Sequence, residues 1–520
     1  MSDLPDIAGP HDAEQRKGRR TAVLAAASVA VVAVLGGGAW AAAYVLGGHG
    51  PQPEDVLPAS TLAEISVDMD PSASQKVAAY ETLRKFPALK DKLGASGSED
   101  PRRAVFDQLV KDTGCAGVDF DKDVKPWLGE RAALAAVDLA GKNPSPALAV
   151  QVSDEQQAKA GIQRLVDCGH PGPDFGYVFA DGYAVVSDST AHARTIATAG
   201  RQSPLSADKA FTSAQQQVGA RGVVNFYVAS RAAGYLTERL SQLTGDQVSS
   251  GDLDAVKKQL SHFRGLSGTV RFADGGVELT AIGRTDKPTP TSGKGGAAVA
   301  QLPSDTALAF GFAAPRDYAS RLVDQVSRAS GEGPAQFTAQ LETMTGLRLP
   351  QDVQTLLGQA VTFSVGGEVP DLHAVRGPAD LPLGATITGD TGKIQDVIHK
   401  VEERQGVTLD QLGVAESAKD GRVALASSRS YAAMLATGGN LGQSDTFRQV
   451  VPEAGRSAGV FYLDFDSKWV PALLKMADDS GAPAAQVQKV RANLAPLRGL
   501  GVSSWTDGDT GHVLVKLSTD

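Results

Sequence analysis

The chain is poor in the residues on which much protein chemistry depends. Two cysteines in 520 residues exclude a disulfide-dense scaffold and a cysteine-rich zinc fold. There is no basic excess: 50 lysines and arginines stand against 59 acids, a formal charge of -9. Nothing is left over to neutralise phosphates, so nucleic acid is not an expected partner. The eight histidines form no His-x3-His or His-Glu-x2-His pair, and no Gly-x-Ser-x-Gly elbow presents a serine nucleophile. Long apolar runs are confined to one, which excludes a multi-span transporter. With 42% hydrophobic and 21% charged residues, the remainder has the composition of a globular protein of two to four domains.

The one apolar run lies near the N-terminus. Residues 1–20 form a polar tail ending in a basic cluster, Arg16, Lys17, Arg19 and Arg20. From Thr21 to Gly48 no residue is charged. As a helix this run would be roughly 42 Å long, against a hydrocarbon core of roughly 30 Å. It predicts one transmembrane helix over 21–47, with the basic cluster held in the cytoplasm and the rest of the chain outside it. A cleaved signal peptide has a shorter apolar core, and no cysteine follows the run to carry a lipid. Residues 1–47 carry four acids and four bases, so the exported part also carries -9 and should not grip anionic lipid heads by charge.

The remainder reads as one design used twice. LPASTLAEISVD at 57 pairs with LPSDTALAFGF at 302, TGCAGVDFDKDVKPWLG at 113 with TGLRLPQDVQTLLG at 345, and VFADGYAVVSDS at 178 with ESAKDGRVALASS at 416. GVVNFYVAS at 222 pairs with AGVFYLDFD at 458, and FRGLSGTVRFADGG at 263 with LRGLGVSSWTDGDT at 497. The five matches keep their order while the offset drifts between 229 and 245, which places insertions in loops. The expected organisation is a linker at 48–56, copy one at 57–286, a Pro/Gly/Ser/Thr linker at 287–299 and copy two at 300–520. Strands at Leu62–Asp68, Ala132–Leu139 and Ala147–Val152 alternate with helical stretches such as Asp154–Val166 and Thr190–Ala199. Hairpins are expected around Asp181-Gly182 and Asp274-Gly275. The fold class predicted is α+β, two tandem related domains with mostly antiparallel sheets.

Both cysteines, Cys115 and Cys168, fall in copy one; their counterparts in copy two are approximately Leu347 and Arg404. Loss of both together is what a paired role predicts, and export supplies oxidising conditions. Closing that loop would stabilise copy one by about 4 kcal/mol in the chain-entropy picture.

Other constellations read as structural. Asp119, Asp121, Asp123 and Glu130 have calcium-loop spacing, but Val124 stands where the loop needs glycine. Asp123 and its counterpart Asp352 are better read as caps of a short helix. SGKGG at 292–296 lacks the hydroxyl residue of a phosphate-binding loop, and Asp464 and Asp466 have no acidic counterparts in copy one. Phe226-Tyr227 and Phe461-Tyr462 are matched aromatic pairs on a strand, so one ring of each pair should be buried and the other turned to the opposite face. No catalytic residue, metal ligand or cofactor is predicted.

The LPAST start at 57–61, TG at 113–114 and 345–346, DVKPWLG at 123–129 and DVQTLLG at 352–358 together resemble the domain of unknown function family 3352. The resemblance implies a bacterial, membrane-anchored protein, and the Ala/Gly/Val-rich composition suits an actinobacterial source. It brings no activity with it. The expected function is a non-enzymatic envelope module that binds an envelope protein, a lipid or a wall ligand. The alternatives are an extracytoplasmic hydrolase with an unrecognised site, or a membrane-bound regulator acting through the N-terminal tail.

Overall fold

The computed structural model describes residues 50–87, 117–141, 143–169, 175–244, 250–273, 275–288, 291–329 and 333–520, with Asp100, Arg102, Arg103, Phe106, Asp107 and Val110. The chain divides into two compact units, Met1–Ala207 and Asp208–Asp520.

Unit 1 begins with a short helix, α1 (Pro53–Val56), then β1 (Thr61–Asp68) and α2 (Ala73–Leu83). A π-helical turn at Phe120–Val124 leads into β2 (Leu128–Val137), β3 (Ser145–Val152) and α3 (Glu155–Gly169). A hairpin, β4 (Gly176–Ala180) and β5 (Tyr183–Ser187), and α4 (Thr190–Gln202) follow. The hairpin turns where expected: Asp181 and Gly182 both have positive φ, 50° and 81°, as a two-residue primed turn requires. Ser189 starts α4 by accepting the amide of His192. The strands pair antiparallel in the order β1-β2-β3-β5-β4. Phe120, Trp127, Ala158 and Ile162 pack into a core beneath α3.

Unit 2 contains α5 (Lys209–Val218), β6 (Val224–Ala229), α6 (Ala232–Thr244), α7 (Ser250–Ser261), and the hairpin β7 (Phe263–Ala273) and β8 (Gly276–Thr285). Then come α8 (Lys294–Ala300), β9 (Leu308–Phe312), α9 (Tyr318–Ala329), α10 (Pro334–Thr345), α11 (Gln351–Leu357), β10 (Ala360–Val365), β11 (Leu383–Thr388) and α12 (Thr391–Gln405). The hairpin β12 (Ala415–Lys419) and β13 (Arg422–Ala426) precedes α13 (Arg429–Thr437), α14 (Asp445–Val450) and β14 (Gly459–Asp464). The unit ends with α15 (Trp469–Asp479), α16 (Ala484–Leu494), β15 (Leu497–Asp507) and β16 (Thr510–Thr519). Its eleven strands form one antiparallel run, β12-β13-β11-β10-β9-β14-β15-β16-β8-β7-β6. The order β9-β10-β11-β13-β12 recurs from β1-β2-β3-β5-β4 of unit 1, and β14-β15-β16 from β6-β7-β8.

These findings correct the expected fold class, one N-terminal transmembrane helix followed by two tandem related α+β domains with mostly antiparallel sheets. Strands from the two expected copies share a sheet, because β8 pairs with β16 from Gly276↔Ser518 to Arg284↔Thr510. The physical reason is edge satisfaction: each hairpin alone would leave a row of unpaired amides and carbonyls, and here each edge supplies the other's partners. Among the described residues no helix is long and apolar enough to cross a membrane. Residues 21–47 and Arg16, Lys17, Arg19 and Arg20 lie outside the described residues.

The stretch expected as a linker, 287–299, runs into α8, which packs on β9, β10 and β14. Its glycines serve close approach. A Cβ at Gly295 would sit 2.0 Å from the Ala458 carbonyl oxygen, and one at Gly296 would sit 2.1 Å from that of Ala454.

Candidate functional site

The polar constellations resolve into structural pairs. Asp121 bonds Arg103, Glu130 lies 3.2 Å from Arg102, and Asp123 bonds Arg164, so three acids of the calcium-like spacing point to separate cations, and the fourth, Asp119, accepts the Lys122 amide at 3.0 Å. Among the described residues no group of three or more acids, histidines or cysteines could hold a metal. Asp123 and Asp352 are not helix caps, as the sequence suggested; they staple the chain. Asp123 accepts the Asp119 amide at 2.9 Å, and Asp352 the Arg348 amide at 2.8 Å. Each also holds a cation from the helix after the next two strands, Arg164 of α3 and Lys400 of α12, the latter at 2.8 Å. Burial pushes the Asp352 carboxyl up, but the Lys400 bond and the Arg348 amide and guanidinium outweigh it and hold it at about 2. Asp464 accepts the Asp466 amide, and Asp466 pairs with Arg498 at 2.6 Å.

One serine, one histidine and one aspartate do meet. Asp188 Oδ1 lies 2.6 Å, and Ser145 Oγ 3.4 Å, from His192 Nδ1. Both contacts fall on the same ring nitrogen. A triad needs the base oriented through one nitrogen and taking the serine proton at the other, so this is not catalytic geometry.

Cys168, in α3, is disulfide-bonded. Cys115, the chain's other cysteine, lies outside the described residues.

The distinctive surface is one face of the unit 2 sheet. Helices α5, α8, α13 and α14 cover the opposite face. There Tyr227 packs edge-on to Phe211 at 5.1 Å and Tyr462 to Phe447 at 5.2 Å. The two tyrosines are 4% and 1% exposed. The covered face also holds small hydroxyls, several of them bonded to one another or to its side chains. Thr362 bonds Thr386 at 2.6 Å, Ser364 bonds the Tyr431 hydroxyl at 2.9 Å, and Thr269 bonds Asn225 at 2.9 Å.

The other face is apolar. In the strand register Leu425, Ala385, Phe363, Phe310, Phe461, Val502, Val515, Leu279, Val270 and Val224 stand opposite one another across ten strands. At about 4.8 Å per strand this row is roughly 43 Å long. Two residues along, a second row runs Leu383, Val365, Leu308, Leu463, Leu500, Leu517, Val277 and Phe272. Across those strands neither row contains a charged residue; on β12 the first row ends at Glu416, opposite Leu425. Antiparallel sheets that face water normally turn polar residues outward, so the usual polarity is inverted here.

Cover for this face is partial. Ile394 and Ile398 of α12 pack on Ile387 and Val423 at its β11–β13 end. Further in, Phe310 and Phe363 stack at 6.5 Å yet remain 43% and 49% exposed. Tyr318, at the start of α9, meets Phe312 at 6.5 Å, and with Leu322 and Val326 it forms an exposed stripe at four-residue spacing. The Trp469 indole at the start of α15 donates to the Gly366 carbonyl at 2.8 Å, pinning that helix beyond the end of β10.

Where β7, β8, β16 and β15 adjoin, Gly283 and Gly511 leave a cleft of about 380 Å³ whose lining includes Leu266, Thr506, His512 and Val513. His512 stacks on Trp505 at 5.0 Å, with Arg456 over the indole at 4.4 Å. Burial and the Arg456 charge push the imidazole below its ordinary value.

The sequence paired Phe226 with Phe461 but held no signal for the apolar face as a whole, because strands such as AVTFSV do not announce which side a helix will cover. Residues 23–173 match the model of a family described as a protein of unknown function, DUF3352, which supports that family for this segment. No curated protein and no solved structure matches the chain.

Proposed function

We propose that the chain is a non-enzymatic binding module of a cell envelope that holds the acyl chain of a lipid on the apolar face of unit 2. The observation that carries this is the pair of charge-free rows. Apolar rows of this length, with Phe310 and Phe363 exposed at their middle, mark a binding surface. Hydrocarbon suits it better than an extended peptide, because the middle of a sheet face offers no free backbone group to satisfy a peptide's amides. The acidic balance, -9 overall, favours a ligand whose head is uncharged or zwitterionic. The uncharged run at 21–48, with Arg16, Lys17, Arg19 and Arg20 before it, supports tethering at the membrane with the units outside the cytoplasm. A disulfide joining Cys115 to Cys168 belongs to the same reading, and the recurring strand order supports duplication of one ancestral design.

The test is binding of a fluorescent acyl probe, displaced by lysophosphatidylcholine. Saturable enhancement is expected, and Phe310→Asp with Phe363→Asp should abolish it by placing charge on the exposed face. A wild-type protein that gives no enhancement would sink the proposal.

A further inference from the structure

The outer border of unit 1 is β4, the last strand in the order β1-β2-β3-β5-β4. The two-residue turn at Asp181-Gly182 makes Ala180↔Tyr183 a hydrogen-bonded pair, and bonded pairs alternate from there along the hairpin. Gly176, Val178 and Ala180 therefore turn their main-chain groups toward β5, while Tyr177 and Phe179 turn theirs outward. Among the described residues no protein group bonds those outward amides and carbonyls. The side chains do not guard the border either. Its sequence, GYVFA, has no charge and no proline, and Tyr177 meets Phe179 edge-on at 5.6 Å. In unit 2 the matching border strand, β12, reads AESAK. At an offset of 239, Glu416 stands where Tyr177 does, and Lys419 where Ala180 does. Charge on a border strand is a common guard against strand addition, so one copy of the design is guarded and the other is not.

We infer that β4 is a self-association surface, and that its occupant is β4 of a second copy of the chain, paired antiparallel about Val178. The placement of the open groups selects a copy of the same strand. They fall one residue to either side of Val178, so a two-fold axis there sets Tyr177 of each copy against Phe179 of the other. Each such pair exchanges two main-chain bonds, which answers every outward group of the two residues. The axis stands perpendicular to the sheet, so the facing rings share one side of it and form aromatic cross-strand pairs. Unit 2 already closes matching borders in this manner, by pairing β8 antiparallel with β16. The surface lies in unit 1 and is separate from the one proposed for an acyl chain.

Val178 is the position to test. On the axis it faces its own counterpart in a non-bonded pair, where Cα atoms lie about 4.5 Å apart, within reach of a disulfide. The full chain with Val178→Cys, kept in an amphipathic polymer, is treated with copper phenanthroline and run on a non-reducing gel. It should cross-link to twice the mass of the chain. Phe179→Cys, displaced from the axis, and Ser417→Cys, the matching site on guarded β12, should stay single. Adding Tyr177→Pro to Val178→Cys removes an outward amide without touching the bonds to β5, and should abolish the link. Adding Tyr177→Ala, which loses the ring and keeps the amide, should preserve it. Native mass spectrometry of the unaltered chain needs no substitution, and a dimer is expected. A monomer there, a Val178→Cys chain that stays single, equal linking of all three cysteine variants, or a link that survives Tyr177→Pro overturns the inference.

Discussion

At the scale of single residues, stability rests on buried charges that are answered and on glycines that let backbones meet. Asp352 is buried and bonded by Lys400 and by the Arg348 amide and guanidinium. Its folded pKa of about 2 lies below that of an unfolded aspartate, about 3.9. The stabilisation is therefore complete above about pH 4 and is lost as pH falls toward 2. Because Lys400 and Arg348 are partly exposed, screening reduces its size, and Asp352→Asn should cost about 1–2 kcal/mol at pH 7. The difference from the parent should shrink by pH 2, as read by urea unfolding at both pH values. Gly296→Ala should cost about 1–3 kcal/mol, since its methyl would strike the Ala454 carbonyl. Gly455→Ala, with open space around it, is the control, and thermal melts of the two variants check the contrast. The sequence showed Asp123 and Asp352 as a matched pair because their flanking motifs repeat. It could not show their partners, since Arg164 and Lys400 lie 41 and 48 residues further along the chain.

At the scale of elements, local chemistry was legible and neighbourhood was not. The turn at Asp181-Gly182 was readable because it demands positive φ at adjacent residues, and both show it; of Asp274-Gly275, Gly275 has positive φ and Asp274 lies outside the described residues. The seam between β8 and β16 was unreadable. It joins strands more than 220 residues apart, and nothing local in either one names the other. The glycines of SGKGG looked like a flexible stretch, because a sequence does not distinguish glycine used for freedom from glycine used for contact. Element stability should differ in the same pattern. Helix α15 has no buried residue and α16 has Val487 alone, whereas β15 and β16 are paired on both edges. Hydrogen exchange followed by mass spectrometry should show amides of α15 and α16 exchanging well before those of β15 and β16. Equal protection would mean that the helix pair is held by more than the contacts described.

At the scale of the whole molecule, composition and the order of motifs carried most of the reading. The near absence of cysteine and the lack of basic excess narrowed the chemistry, while the order of the strands was left open by the sequence. The sharing of one sheet by both copies was not foreseen, since tandem motifs in a sequence suggest separate bodies. The two units should respond differently to reductant. With Cys115 and Cys168 joined, dithiothreitol should destabilise unit 1 by about 4 kcal/mol and leave unit 2 unchanged. Calorimetry of the full chain should then show one transition moving and one staying. A thiol count on the denatured, unreduced protein should be zero.

The seam at β8 has a consequence for a divided chain. Cut near residue 286, the first part would carry β8 as a naked border. A second molecule of the same fragment would close it by pairing β8 with β8. A fragment of residues 50–286, with the β4 border blocked by Tyr177→Pro, should accordingly sediment as a dimer, and a strictly monomeric fragment would refute that pairing.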